Sequence, residues 1–332
     1  LELVKRNEII VFTREENLYT ADHTIRNFTL HDFWLMCPRG QFLQINFANP
    51  EFHQLCTGQE NTKCALNCYN RYFSGQEENY QTDLQYWENW IDRRMSETRR
   101  IIDCIDLFIA PSRYLLNRFM SDFNVSKEKI LYLDYGFPLH YLSPIESKLQ
   151  EHFTFGYIGT HIPAKGLDLL INAFSKIREK ATLKIWGREN GQSTKNLKIL
   201  AERCPNEIQF MGEYINTNLA KEVFANVHCI IVPSIWGENS PLVIHEAQAC
   251  KIPVITANFG GMSEYVQHLE NGLLFEHRNA DDLAEKMFFA LQNPETMRVL
   301  GKRGYLYNTD GLVPNIIEHC LALEKAYKAF MK

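Results

Sequence analysis

Two carboxylates, Glu238 and Glu246, stand with seven residues between them around one strand-to-helix junction. Carboxylates there can accept hydrogen bonds from sugar or ribose hydroxyls and would repel phosphate. The junction between them offers the opposite chemistry. His228 to Val232 is an apolar run of strand length, Pro233 breaks it, and a helix is expected from Ser240 to about Cys250. Ser240 has the chemistry of an N-cap, and Pro241 suits the first helical position, where a missing N–H costs nothing. The main chain from Asn239 through Leu242 to Val243 would then present bare N–H groups to an anion, phosphate above all. Lys251 to Thr256 reads as the next buried strand, which makes the unit a parallel crossover with its ligand beyond the carboxyl ends of the strands. Taken alone, the two acids are more simply a surface acid and a helix-dipole acid.

Other candidates lie upstream. Gly159 follows the apolar run Phe153 to Ile158 and would let a ligand approach the main chain, with Lys165 supplying a point charge for a diphosphate. Gly212, Tyr214 and Ile215 follow another expected strand end and could hold a nucleobase through main-chain groups. His31 sits at the end of a short strand with Asp32 beside it; a lone histidine there is ordinarily bonded to backbone.

These stretches together resemble the retaining glycosyltransferases of family 4, which have the GT-B fold. The resemblance rests on Glu238 and Glu246 at their spacing, on Phe155 to Gly166 as a glycine loop with a donor lysine, on Asn258 to Glu264 and Asn271 to Phe275 as a distal turn and strand, and on Thr29 to Trp34 with Cys37 to Gly40 as a signature of a bacterial branch. It covers the chain from about Phe28 onward. It implies an α/β protein with two Rossmann-like domains facing across a cleft. It implies transfer of a hexose from a nucleoside diphosphate sugar, such as a UDP- or GDP-sugar, to a hydroxyl acceptor with retention, by a front-face route in which the leaving phosphate helps deprotonate the acceptor. His31, Lys165 and Glu238 would be the catalytic set, Glu246 the ribose ligand, and Glu238 with the main chain of Asn239 the sugar ligands. The family usually places an arginine directly after the glycine; this chain has Thr160, followed by His161, so His161 or Arg188 would have to strengthen the cationic clamp. No metal is implied for catalysis. A lipid-linked acceptor and glycan or polysaccharide synthesis follow from the bacterial look of the signature; the expected place is cytoplasmic, with peripheral contact at the inner face of the membrane as a further reading.

Cys37, Cys56, Cys64 and Cys68 fall in one loop-rich stretch with eighteen, seven and three residues between them. Four thiolates could make a closed, structural zinc site, although the spacing matches no short knuckle, and disulfides are the alternative. From Thr82 to about Ile102 a helix is expected, with Trp87, Trp90, Ile91, Met95 and Ile102 near one face. Arg93, Arg94, Arg99 and Arg100 make it locally basic, but Glu88, Asp92 and Glu97 interleave, so a solvated face is favoured over a membrane surface.

The chain has 332 residues, 45% hydrophobic and 23% charged, with net charge -5. That length suggests two domains, and the charge gives no basic field for nucleic acid. No apolar run approaches a membrane span, Leu1 to Glu8 lacks a signal-peptide core, and nine scattered cysteines suit a reducing compartment. Residues 1–147, completed by a terminal helix over 313–332, form the expected acceptor-side domain, and residues 148–312 the donor domain. There is room for barely one βα unit before Phe28, which suggests an abbreviated domain or a missing stretch joined between Tyr19 and Asn27. A hinge is expected between Gly136 and Gln150. Two alternatives stay open: a non-catalytic protein that keeps the fold, and a nucleotide-sugar epimerase.

Overall fold

The computed structural model describes residues 9–11, 25–44, 53–145 and 152–330. They form two compact units: one runs to Asp134 and regains the chain from His319 onward, and the other is Tyr135–Glu318. Most of the expected junction between Tyr19 and Asn27 lies outside the described residues.

The first unit holds a parallel sheet. Its strands are β1 (Ile9–Val11), β2 (Ile25–Thr29), β5 (Leu107–Ala110) and β6 (Ile130–Tyr132), in the order β1-β2-β5-β6. Between β2 and β5 a loop-rich segment pairs two-residue strands, β3 (Leu43–Gln44) and β4 (Gln54–Leu55), antiparallel. β5 is apolar and buried along its whole length, as a central parallel strand must be. Ser112 caps the following helix, Arg113–Phe123, by accepting from the Leu115 N–H at 3.1 Å.

The long helix Tyr80–Cys104 buries Ile91, Met95, Thr98 and Ile102, one stripe at helical spacing. Its arginines do not form one basic face. Arg94 turns inward, donating to the Trp34 carbonyl at 2.6 Å with its guanidinium over the Trp34 ring, and Arg100 pairs with Glu97. Among the described residues no helix is long and apolar enough to cross a membrane. The terminal helix Ile316–Phe330 joins this unit from His319: Ala326 and Tyr327 cluster with Leu107 and Ile109, and the Tyr327 hydroxyl donates to Asn27 Oδ1 at 3.3 Å.

The second unit is a parallel sheet of β7 (Phe153–Ile158), β8 (Ala181–Trp186), β9 (Glu207–Gly212), β10 (Cys229–Val232), β11 (Val254–Ala257) and β12 (Gly272–Phe275). Their order is β12-β11-β10-β7-β8-β9. The chain therefore winds outward from β7 to β9, then returns to the other side of β7 and winds outward again. The reversal falls between β7 and β10, the place where open parallel sheets ordinarily take their ligands. Phe137 and Leu142 are buried in this unit's core, which places the boundary at Tyr135, earlier than residue 148. The stretch expected to act as a hinge thus packs with the second unit up to Ile145, and residues 146–151 lie outside the described residues.

Three local expectations shift. Leu167, Leu170, Ile171, Phe174 and Ile177 stand at helical spacing and predict a helix over 166–180, but it runs only Leu167–Phe174, and beyond it the Asn206 amide takes the carbonyls of Ile177 and Glu179 at 3.0 and 2.9 Å. The sequence also predicts a helix over 218–225; it breaks into Leu219–Glu222 and a tight turn Phe224–Asn226, where the Asn226 amide takes the carbonyls of Lys221 and Glu222. A helix over Pro294–Arg303, with proline at its start, is an element that periodicity did not supply.

Candidate active site

An ion pair links the loops that follow β7 and β10. The loop after β7 carries Lys165 on a short 3-10 turn, and the loop after β10 carries Glu238. Lys165 Nζ donates to Glu238 Oε1 at 2.6 Å. The same oxygen accepts from Ser234 Oγ at 2.7 Å and from the Trp236 indole N–H at 3.0 Å. Glu238 is only 6% exposed, so this triple donation is what allows a carboxylate to lie there. Lys165 keeps 33% of its side chain exposed, and its ammonium has two further donors to offer a ligand.

Glycine makes the two loops meet. Gly166 has φ +68°, and a Cβ on it would fall 2.0 Å from the Pro233 carbonyl oxygen. Behind it the Ile235 N–H donates to the Ala164 carbonyl at 3.0 Å. The Glu238 carbonyl accepts from the Gly261 N–H at 2.7 Å, which fastens the acid's backbone to the distal Gly260–Gly261 turn.

Next to Glu238 the helix is Leu242–Ala249, with Pro241 rather than Ser240 in the cap position and no side-chain cap bond. Ser240 was expected to cap; the extended backbone of Pro241 (φ −65°, ψ 113°) displaces it by one residue. Ile244 donates to the Pro241 carbonyl at 3.0 Å, leaving the N–H groups of Leu242 and Val243 without an acceptor inside the helix. Glu246 follows one turn later. Burial pushes its carboxyl up to about 7. Tyr214 faces it: burial, and then the charge of Glu246, push the Tyr214 phenol up to about 12.

The remaining candidates line the carboxyl ends of β7, β8 and β9. Gly159 donates to the Trp186 carbonyl at 3.0 Å, and the His161 N–H to that of Arg188 at 3.0 Å. Thr160 is half-buried and Arg188 is exposed. His161 is 1% exposed, with Nδ1 3.2 Å from Thr194 Oγ1, and burial lowers its pKa. The imidazole ties its loop to the helix Gly191–Ala201, and burial disfavours its charged form, so of the two residues named for the cationic clamp the exposed Arg188 is the better placed. Gly212 (φ +77°) ends β9, and Ile215 beyond it is 62% exposed.

His31 belongs to the first unit, exposed just past the end of β2. Asp32 fixes the turn behind it by accepting the Trp34 N–H at 2.7 Å. Ser234 and Trp236 are the site residues that sequence reasoning missed. The only signal for them was their place in the same loop as Glu238, since their donors find the carboxylate through the fold of that loop.

Residues 143–307 match the family of glycosyl transferases group 1. An uncharacterized glycosyltransferase of Methanocaldococcus jannaschii is 30% identical over 210 residues, 60% of this chain and 53% of its own. A GDP-mannose-dependent monoacylated alpha-(1-6)-phosphatidylinositol monomannoside mannosyltransferase of Corynebacterium glutamicum is 31% identical over 225 residues, 62% of this chain and 58% of its own. The chain thus spans a little over half the length of these curated relatives. Among solved structures, Anabaena HepE in complex with UDP and glucose aligns with TM-score 0.61 at 19% identity, covering 70% of this chain and 67% of its own. Sucrose-phosphate synthase of Thermosynechococcus elongatus aligns with TM-score 0.63 at 24% identity, covering 72% and 61%. These likenesses establish the fold, α/β of the GT-B kind with Rossmann-like sheets. The matched residues take in nearly the whole of the second unit, Tyr135–Glu318, so it is this unit that is similar to the glycosyl transferases group 1.

Proposed function

We propose that the chain is a retaining hexosyltransferase that moves a sugar from a nucleoside diphosphate to a hydroxyl acceptor, in the synthesis of a glycan, polysaccharide or glycolipid. The observation that carries this reading is the Lys165–Glu238 pair set across the strand-order reversal, beside an uncapped helix start. The diphosphate would take the free donors of Lys165 and the N–H groups of Leu242 and Val243. Glu238, held by three donors on one oxygen, would turn its other oxygen to a sugar hydroxyl. Glu246 would accept from the ribose, with Gly212, Tyr214 and Ile215 near the base. Stabilising the departing diphosphate is electrostatic preorganisation, and the positive groups already in place call for no divalent ion. Relatives that use GDP-mannose and a structural neighbour that holds UDP support a nucleotide-sugar donor in general.

The test is a thermal-shift panel with UDP, GDP, ADP and TDP, followed by donor turnover with and without acceptors. A nucleotide at a hundred times its dissociation constant stabilises by about 2.7 kcal/mol. If none of the four moves the melting temperature of a well-folded protein, the reading fails. Binding without turnover on any acceptor would favour the non-catalytic alternative, for which Thr160 in place of the usual arginine speaks.

Glu246 makes this binding pH-dependent. Its carboxyl in the fold sits at about 7, above the ordinary 4.5, so the fold prefers the protonated form and this group withdraws stability as pH rises between those values. A ribose-binding role needs the carboxylate. Nucleotide affinity should therefore fall as pH drops below about 7, by about tenfold at pH 6. Glu246→Gln should flatten that profile; a variant whose pH dependence matches the native protein's would remove Glu246 from the ribose role.

A further inference from the structure

The loop-rich segment between β2 and β5 brings four distant cysteines to one point. Cys37 lies in a turn after β2 that closes with the Gly40 N–H on the Cys37 carbonyl at 2.9 Å, Gly40 having φ +77°. Cys56 follows β4 directly, and its N–H bonds to the Phe42 carbonyl at 2.7 Å. Cys64 and Cys68 sit four residues apart on one helical turn, so their side chains share a face. All four line one small cavity of about 10 Å³, the room of a single ion or water. Cys37, Cys64 and Cys68 are buried, and all four are thiols.

Arg39 lines the same cavity. It donates from Nη1 to the Cys68 carbonyl at 3.3 Å, while its Nε is a buried donor with no partner among the described residues. A buried, unsatisfied cationic donor beside four sulfurs is what a cluster of thiolates would satisfy. The paired strands of the segment are two residues long, and Cys64 and Cys68 also pack in a small apolar cluster with Tyr69, Ile91 and Met95.

We propose that Cys37, Cys56, Cys64 and Cys68 bind one zinc ion in a closed, structural site that staples this segment of the first unit, with Arg39 as the cation facing it. On binding, four S–H bonds give way to four Zn–S bonds and the protons pass to solvent, with no change of oxidation state. Among the described residues no three such groups already stand closed around a metal position, so the sulfurs draw inward on loading. Cys56 is free to do so by releasing its bond to the Gly58 carbonyl at 3.0 Å. The site has no open position, so it has no part in turnover.

The test is the zinc content of the full chain purified under reducing conditions without added metal. About one zinc per chain is expected. Cys64→Ser with Cys68→Ser should lose it, and Cys104→Ser, outside the cluster, should keep it. Because the double variant can misfold, the native chain is also stripped with a chelator and titrated with cobalt(II). Thiolate-to-cobalt charge-transfer bands saturating at one equivalent, with proton release and recovery of the melting temperature, support the site. Zinc that survives the double substitution, a chain that neither carries zinc nor gives thiolate–cobalt bands, or a Cys64–Cys68 disulfide in protein kept from oxidants would overturn it. Nucleotide-induced stabilisation is scored separately, so failure of the metal site is distinct from failure of the donor site.

Discussion

Lys165→Ala should cut sugar transfer by roughly a hundred- to a thousandfold while the protein stays folded. Lys165 stands at the β7–β10 reversal, paired with Glu238, and on the proposed reading a departing diphosphate would develop its charge there. Removing it takes away a donor that strengthens as the leaving group forms, so kcat should fall more than KM rises. The cost to the fold is bounded by what Glu238 retains. Its Oε1 still accepts from Ser234 and Trp236, so the carboxylate loses one of three donors, a cost of about 1–3 kcal/mol. Steady-state rates on native and variant protein, with a melting curve for each, decide the matter. Near-native turnover in the variant would remove Lys165 from the mechanism. Collapse of the melting transition would instead make it a structural partner of Glu238.

Gly261→Ala should cost more than about 3 kcal/mol of stability and abolish nucleotide binding together with it. Gly261 has an ordinary helical backbone, φ −68°, so conformational freedom is not the issue. A Cβ there would fall 1.3 Å from the Asn239 carbonyl oxygen and 2.9 Å from that of Glu238, both of them main-chain atoms. Neither can rotate away. The loop must move, and with it go the Gly261 N–H bond to the Glu238 carbonyl and the approach to the helix start. Gly191→Ala is the contrast. Gly191 has φ +42° but open space around the added Cβ, so only the left-handed backbone is penalised, about 1 kcal/mol. Urea melts of both variants test this. Equal losses would mean that close packing of the distal turn on the acid's loop contributes little.

Much of this was legible from local chemistry. Alternating apolar runs and helical stripes in the second unit needed no partner to be recognised, because each run carries its own period. Caps were equally local: Ser112 and Asn279 each bond to main-chain N–H groups two or three residues ahead. Lys165, Glu238 and Glu246 were singled out by the resemblance of their stretches to a known family, since by type and spacing alone the two acids read as a surface acid and a helix-dipole acid. Where a side chain from elsewhere competed for the backbone, local reading failed. Asn206 takes the carbonyls beyond Phe174 from across the fold, which no window around residue 174 contains.

The residue types, their order and the parallel α/β character were properties of the sequence, because strand and helix periods are written in consecutive residues. Four matters waited on long-range packing. These were the strand order that puts the reversal between β7 and β10, the donation of Ser234 and Trp236 to Glu238, the burial that disfavours a charged His161 and raises Glu246, and the convergence of Cys37, Cys56, Cys64 and Cys68. Each depends on which distant segments meet and how much water they exclude. Spacing along the chain does not encode either, since the same intervals are compatible with many pairings of strands and loops.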